Sequence, residues 1–315
     1  MKIFKKTLLV ILFLLAVLIF YVAVFKKSEI LSSAEVRSKY ALSSSRFLDW
    51  NGTKVHYTDD GKGFPVIMIH GLGGSCFDFS LLDSMMRDSF RIIRVDLPGS
   101  GLSDFPKLKD KDPDFSELYG QFFIDLLDTL HLDSFYLVGN SMGGMMSWDL
   151  AAHYPGKVKK LVLLNSAGYD MKEVSAHVTK GLRNKWLQYI LLKKGISEYF
   201  IRAGVSRIFY NKSELTEEKI KRTHDLWNKE GSLQMIFDLA STEKFPDTVW
   251  IKKIQCPTLI LWGRQDRLVS YTHAERFHRD IPNSRVIIYD SCGHVPMIEK
   301  SLEVKKDVLS FFNGK

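Results

Sequence analysis

The sequence predicts an α/β fold: a mostly parallel central sheet flanked by helices, with a helical insertion and a transmembrane helix ahead of it. Three observations carry this. Strand-like and helix-like segments alternate from about residue 64 to residue 164, as in a parallel sheet covered by helices. The alternation stops for about 80 residues after Gly168 and resumes near residue 250. The chain also opens on a long apolar run. The division expected is residues 1–27 as a transmembrane signal anchor, 28–45 as a tether, 46–170 as the first part of the core, 171–249 as the helical insertion, and 250–315 as the rest of the core.

Thr7 to Phe25 is 19 residues long and apolar except for Thr7. At about 1.5 Å per residue a helix of that length reaches roughly 28 Å, near the hydrocarbon thickness of a bilayer. Ala23-Val24-Phe25 is a poor cleavage site, and a buried core helix would not normally be apolar all round at the extreme N-terminus, so an uncleaved anchor fits best. Lys2, Lys5 and Lys6 precede the run, and Lys26, Lys27, Arg37 and Lys39 follow it, so the basic count does little to orient it. The very short leader favours a cytoplasmic N-terminus with the folded domain outside. Residues 28–45 are serine-rich and mixed in charge, as a tether would be.

The folded part opens with a hairpin, Arg46 to Trp50 and Thr53 to Thr58, around the two-residue turn Asn51-Gly52. Strands are expected at Phe64 to Ile69, Arg91 to Val95, Phe135 to Val138 and Lys160 to Leu164, with a helix near Asp114 to Leu130. Between the last two strands lies Gly139-Asn140-Ser141-Met142-Gly143, a G-x-S-x-G string with an apolar strand before it and a helix-like stretch after it. That context makes it a nucleophile elbow, in which a strained turn lifts the serine hydroxyl clear of the sheet.

A serine needs a base and a group to orient that base. Cys256 to Gly263 and Arg285 to Asp290 read as strands, and Asp266 and His294 fall in the loops that follow them, on the sheet edge that carries Ser141. Asp266 is the expected acid, with Asp170 in reserve, and His294 the expected base. The oxyanion donors expected are the backbone N–H groups of Leu72, in the loop His70-Gly71-Leu72-Gly73-Gly74, and of Met142. His70 is expected to shape its loop, and Cys292, near His294, to be a small apolar loop residue and not a nucleophile.

With these motifs the chain resembles the α/β-hydrolase superfamily from about residue 46 to residue 313. Asp96-Leu97-Pro98-Gly99-Ser100-Gly101-Leu102-Ser103 is similar to that family's turn after the fourth strand, and Gly293 to Glu299 to its histidine loop. The resemblance implies that the insertion is a lid over the elbow. Together with the apolar N-terminus it points towards membrane-anchored monoacylglycerol lipases or esterases. Gly139 to Gly144 also resembles the elbow of carbon–carbon bond hydrolases of dienoic ring-fission products, although those relatives tend to have Trp where this chain has Val295. Relatives with an aspartate nucleophile are disfavoured by Ser141. A non-catalytic binding protein commonly lacks a triad member, and here all three types are present.

The first half of the insertion is basic. From Met171 to Tyr210 eight Lys or Arg face two Glu, a net of +6, and Val178, Leu182, Trp186 and Ile190 recur every four residues as one apolar helical face. An anionic lipid surface is the functional expectation for such a cap, in line with the chain's formal charge of +8. The basic residues are dispersed and no recognition motif accompanies them, so nucleic acid is not an expected partner. The expected partners are a small apolar ester or lipid substrate and, through the N-terminal helix, a membrane. Three cysteines make no disulfide framework, and with no metal or nucleotide motif neither metal nor cofactor is expected. Nothing in the sequence sets the oligomeric state.

Overall fold

A computed structural model describes residues 7, 11–15, 27–107, 114–169, 182–242 and 244–314. Eight strands form one sheet in the order β1-β2-β4-β3-β5-β6-β7-β8. Strands β1 (Ser45–Trp50) and β2 (Thr53–Asp60) form the expected hairpin, with Asn51 at φ 52° and Gly52 at φ 75° in its turn. Strand β2 pairs antiparallel with β4 (Arg91–Val95). The remaining pairings, through β3 (Pro65–Ile69), β5 (Phe135–Asn140), β6 (Val158–Leu164), β7 (Thr258–Gly263) and β8 (Ser284–Tyr289), are parallel.

The strand sequences explain why helices cover both faces. Successive residues point to opposite sides of a strand, and here both sides are apolar. Ile67, Ile69, Leu137, Leu161 and Leu163 enter one core with helices α3 (Phe115–Thr129) and α4 (Met142–His153). Their neighbours Val66, Met68, Val138, Val162 and Leu164 enter another with α2 (Ser80–Met86) and α11 (Ser301–Phe312). Helix α3 starts where Asp114 accepts from the Ser116 and Glu117 N–H groups, and it buries Tyr119, Phe122, Phe123 and Leu126.

The expected N-terminal anchor lies mostly outside the described residues. Residues 11–15 are helical and exposed, and among the described residues no helix is long and apolar enough to cross a membrane. Residues 28–45 differ from the expected tether. They contain helix α1 (Ser33–Tyr40), started by a Ser32–Glu35 capping box, and this stretch is docked on the rest of the molecule through Ser33, Arg37, Lys39 and Tyr40. Serine and charge content suggested a free linker, but here these side chains serve as caps and ion-pair partners.

Between β6 and β7 the described chain is helical: α5 (Lys185–Lys194), α6 (Glu198–Val205), α7 (Glu217–Trp227) and α8 (Ser232–Ser241). The single apolar face expected through Leu182, Trp186 and Ile190 is not formed. Asn184 caps α5 by accepting from Leu187 N, so Leu182 precedes the helix; Ile190 is buried while Trp186 is 66% exposed. Val178 lies outside the described residues. Helices α9 (Thr272–Asp280) and α10 (Pro296–Glu299) flank β8.

Candidate active site

Ser141 sits between β5 and α4 at φ 54° and ψ −119°, a left-handed conformation that costs a non-glycine residue of order 1–3 kcal/mol. The surroundings hold it there. Its N–H donates to Leu164 O at 3.0 Å, and its carbonyl accepts from Met145 N at 3.0 Å and Ala167 N at 2.9 Å. The glycines admit the turn because a methyl group at Gly139 would lie 2.3 Å from Gly143 O, and one at Gly143 would lie 2.2 Å from Ile69 O.

His294 and Asp266, 28 residues apart in sequence, meet directly: Nδ1 of His294 is 2.7 Å from Oδ2 of Asp266, and both side chains are buried. Burial opposes charge on Asp266. The His294 charge and hydrogen bond, the Asn165 amide and the Leu268 N–H outweigh it, and the carboxyl stays below its ordinary range. Oδ1 of Asp266 accepts from Leu268 N at 2.7 Å and Val269 N at 3.1 Å. The His294 Nδ1–H is thus directed at a fixed carboxylate, which leaves Nε2 as the basic nitrogen. Asn140 Nδ2, one residue before Ser141, donates to His294 O at 3.1 Å and joins the elbow to the histidine loop.

The loop after β3 passes the same turn, since a methyl group at Gly71 would lie 2.9 Å from Ser141 Cβ. Gly74 N donates to Gly71 O at 3.0 Å, closing a four-residue turn that makes no use of the Leu72 N–H. Met142 is the first residue of α4, so its N–H has no intrahelical acceptor and lies at the positive end of the helix. His70 is structural: Nε2 accepts from Leu97 N at 3.1 Å, and Nδ1, 2.7 Å from Gly71 O, is the donor. Cys292 is buried, and burial pushes its thiol well up, which opposes a thiolate. Asp170 lies outside the described residues.

Two supporting residues escaped the sequence reading. Asn165, at φ 43° after β6, donates to Asp266 Oδ2 at 2.6 Å and to Gly293 O at 3.2 Å, while its own Oδ1 accepts from Gly263 N at 3.2 Å. An asparagine straight after a buried strand was the available signal. Glu299 accepts from Gly293 N, Tyr210 N and Asn211 N, each at 2.8 Å, and so ties the insertion to the histidine loop. These contacts span up to 128 residues of sequence and carry no local pattern.

The Asp96 turn is a buried hub. Asp96 Oδ1 accepts from Cys76 N at 2.6 Å, and Oδ2 accepts from Leu102 N at 2.8 Å and is 2.7 Å from His56 Nδ1. His56, Cys76 and Asp96 have ligand-type atoms within 4.8 Å of one another, but hydrogen bonds already engage the carboxylate and both imidazole nitrogens. Burial raises the Asp96 carboxyl, yet the His56 hydrogen bond and charge, the His70 charge and the Leu102 N–H bring it down to about 2 from 3.8. A lowered folded-state value stabilises the protein above the unfolded-state value and loses that stability as pH falls through the folded one, here from about pH 4 to about pH 2. The shift is worth about 2 kcal/mol. Asp96→Asn is expected to lower unfolding free energy by about that amount at pH 7, and the gap to the parent should narrow at pH 3 in urea titrations.

A family model described as the alpha/beta hydrolase fold matches residues 65–301. The chain belongs to that family. This hydrolase is 28% identical over 272 residues to a 2-hydroxy-6-oxononadienedioate/2-hydroxy-6-oxononatrienedioate hydrolase of Burkholderia vietnamiensis, which covers 84% of this chain and 92% of the relative. It is 30% identical to a hydrolase with the same substrate name from Pseudomonas putida, over 82% of this chain and 91% of that one. Among solved structures it is similar in fold to a membrane phospholipase A, with a TM-score of 0.71 over 100% of this chain and 99% of the other at 22% identity.

Proposed function

We propose that this hydrolase cleaves carboxylic esters of apolar substrates through an acyl-enzyme on Ser141, held at a membrane by residues 7–25. The observation that carries the chemistry is the buried His294–Asp266 pair stitched to the strained Ser141 turn. His294 Nε2 takes the Ser141 proton as Oγ attacks the ester carbonyl. The Leu72 and Met142 N–H groups receive the oxyanion, and the alcohol leaves with the proton from His294. Water, deprotonated by the same imidazole, then attacks the acyl carbon and releases the acid. The helices between β6 and β7 serve as the cap over this site, and the catalytic domain lies outside the cytoplasm. Asp266→Asn is expected to lower kcat by about 10⁴-fold, because it favours the wrong imidazole tautomer. Steady-state kinetics on a short-chain ester measures this.

A small cleft lies between α3 and α4, lined by Met142 together with Phe115, Tyr119, Phe123, Met145 and Leu239; Ser141, His294 and Leu72 do not line it. Asp149 and Lys244 also border this cleft.

The sequence relatives favour a second reading, hydrolysis of the carbon–carbon bond beside the ketone of a 2-hydroxy-6-oxo dienoate. Val295, where carbon–carbon hydrolases tend to have Trp, favours the ester. A head-to-head assay decides: the purified full chain on an acyl-chain series of esters and on a 2-hydroxy-6-oxo dienoate, with Ser141→Ala as control. Serine-dependent turnover that is faster on medium- or long-chain esters supports the ester reading, and faster cleavage of the dienoate overturns it.

A further inference from the structure

The chain that follows the apolar run is fastened to the helical insertion along its length. Ser28 N donates to Lys194 O, the last residue of α5, at 2.8 Å, and Ser28 Oγ donates to Ile196 O at 3.1 Å. Leu31 N donates to Asn228 O at 3.0 Å, and Glu230 N donates back to Leu31 O at 2.9 Å. Lys39 Nζ and Tyr40 Oη of α1 both reach Asp225 of α7, at 2.7 and 2.8 Å. Only Lys26 and Lys27 separate Phe25, where the apolar run ends, from Ser28. Even fully extended, the three Cα–Cα steps from Phe25 to Ser28 span only about 10 Å. The end of α5 is therefore held within about that distance of the place where the apolar run stops.

The outer face of α5 has the chemistry of a membrane–water interface. Trp186 and Tyr189, three residues apart and so on one side of the helix, are 66% and 57% exposed, and Leu192 is also exposed. Lys193 Nζ lies 4.6 Å from the centre of the Tyr189 ring. The opposite side, through Gln188, Ile190 and Leu191, is buried on the protein. Trp and Tyr with lysines are the side chains enriched where a bilayer meets water.

We infer that the Trp186–Tyr189–Leu192 face of α5 rests in the headgroup region of an anionic phospholipid bilayer, positioned there by the docking of residues 28–40 on the insertion. This rests on the membrane anchor proposed above. It gives the anchor a second role, setting the orientation of the insertion against the source of apolar substrate.

The three native cysteines are buried, so a thiol placed at the surface is labelled selectively in the folded protein. Full-length Tyr189→Cys carrying an environment-sensitive nitrobenzoxadiazole probe is reconstituted into phosphatidylcholine–phosphatidylglycerol vesicles. The comparison is Leu302→Cys, at a position 69% exposed on α11. Flotation with the vesicles and resistance to alkaline extraction report the anchor separately from the face. The inference requires the protein to float, and the probe at 189 to gain emission, shift to the blue and be quenched by shallow nitroxide lipids, at a depth of about 5–10 Å. The probe at 302 should stay aqueous. A floating protein whose probe at 189 is as aqueous as that at 302 overturns the inference and leaves the anchor standing. Failure to float overturns both.

Discussion

Ser141→Ala is expected to abolish turnover, with a loss on the order of a millionfold in kcat, while the protein folds and melts as before. In the proposed mechanism Oγ is the atom that bonds to substrate, so its removal leaves only binding and the oxyanion donors, and those alone give modest acceleration over water. Folding should be indifferent because the Ser141 contacts that hold the elbow are made by its backbone N–H and carbonyl. The φ of 54° is imposed by neighbours and suits alanine no worse than serine. Retention of most of the turnover by a pure variant would remove Ser141 from the mechanism.

Gly143→Ala is expected to have the largest effect on stability. Its methyl group would stand 2.2 Å from Ile69 O and 2.5 Å from His70 O, both backbone atoms of the strand and loop beside the elbow. Neither can move without disturbing β3 or the loop that carries Leu72. A cost of about 3 kcal/mol is expected for such overpacking, which corresponds to a fall of about 5 °C in Tm for a chain of this size. Gly120→Ala is the matched control. It lies within α3 with nothing inside 4 Å of the new methyl group, so helix propensity makes it neutral or stabilising by up to about 1 kcal/mol. Thermal denaturation of both variants makes the comparison. Equal melting temperatures would mean that the elbow tolerates a side chain there.

The parts of the fold legible in the sequence are those specified by neighbours in the chain. The strand before Ser141, the two-residue turn at Asn51-Gly52 and the alternation of strands with helices each rest on a few consecutive residues. The meeting of Asp266 and His294 was legible for a related reason: each follows a buried strand, and parallel strands deliver their following loops to one sheet edge. Long-range contacts set what was not legible. Residues 28–45 look like a linker until Asp225 and the Asn228 carbonyl are seen to receive Tyr40 and Leu31. The four-residue spacing of Leu182, Trp186 and Ile190 assumes one continuous helix, and the Asn184 cap starts the helix after the first of them. Asn165 and Glu299 support the histidine loop from positions whose partners lie far away in sequence.

The most direct test of the central claim, that Ser141 is a nucleophile activated by the His294–Asp266 pair, is the intact mass and peptide map of the full chain after treatment with a fluorophosphonate. A single adduct on Ser141, formed at a rate strongly reduced in His294→Ala, is the predicted result. A protein that takes up no adduct, or takes it up at another residue, would contradict the account.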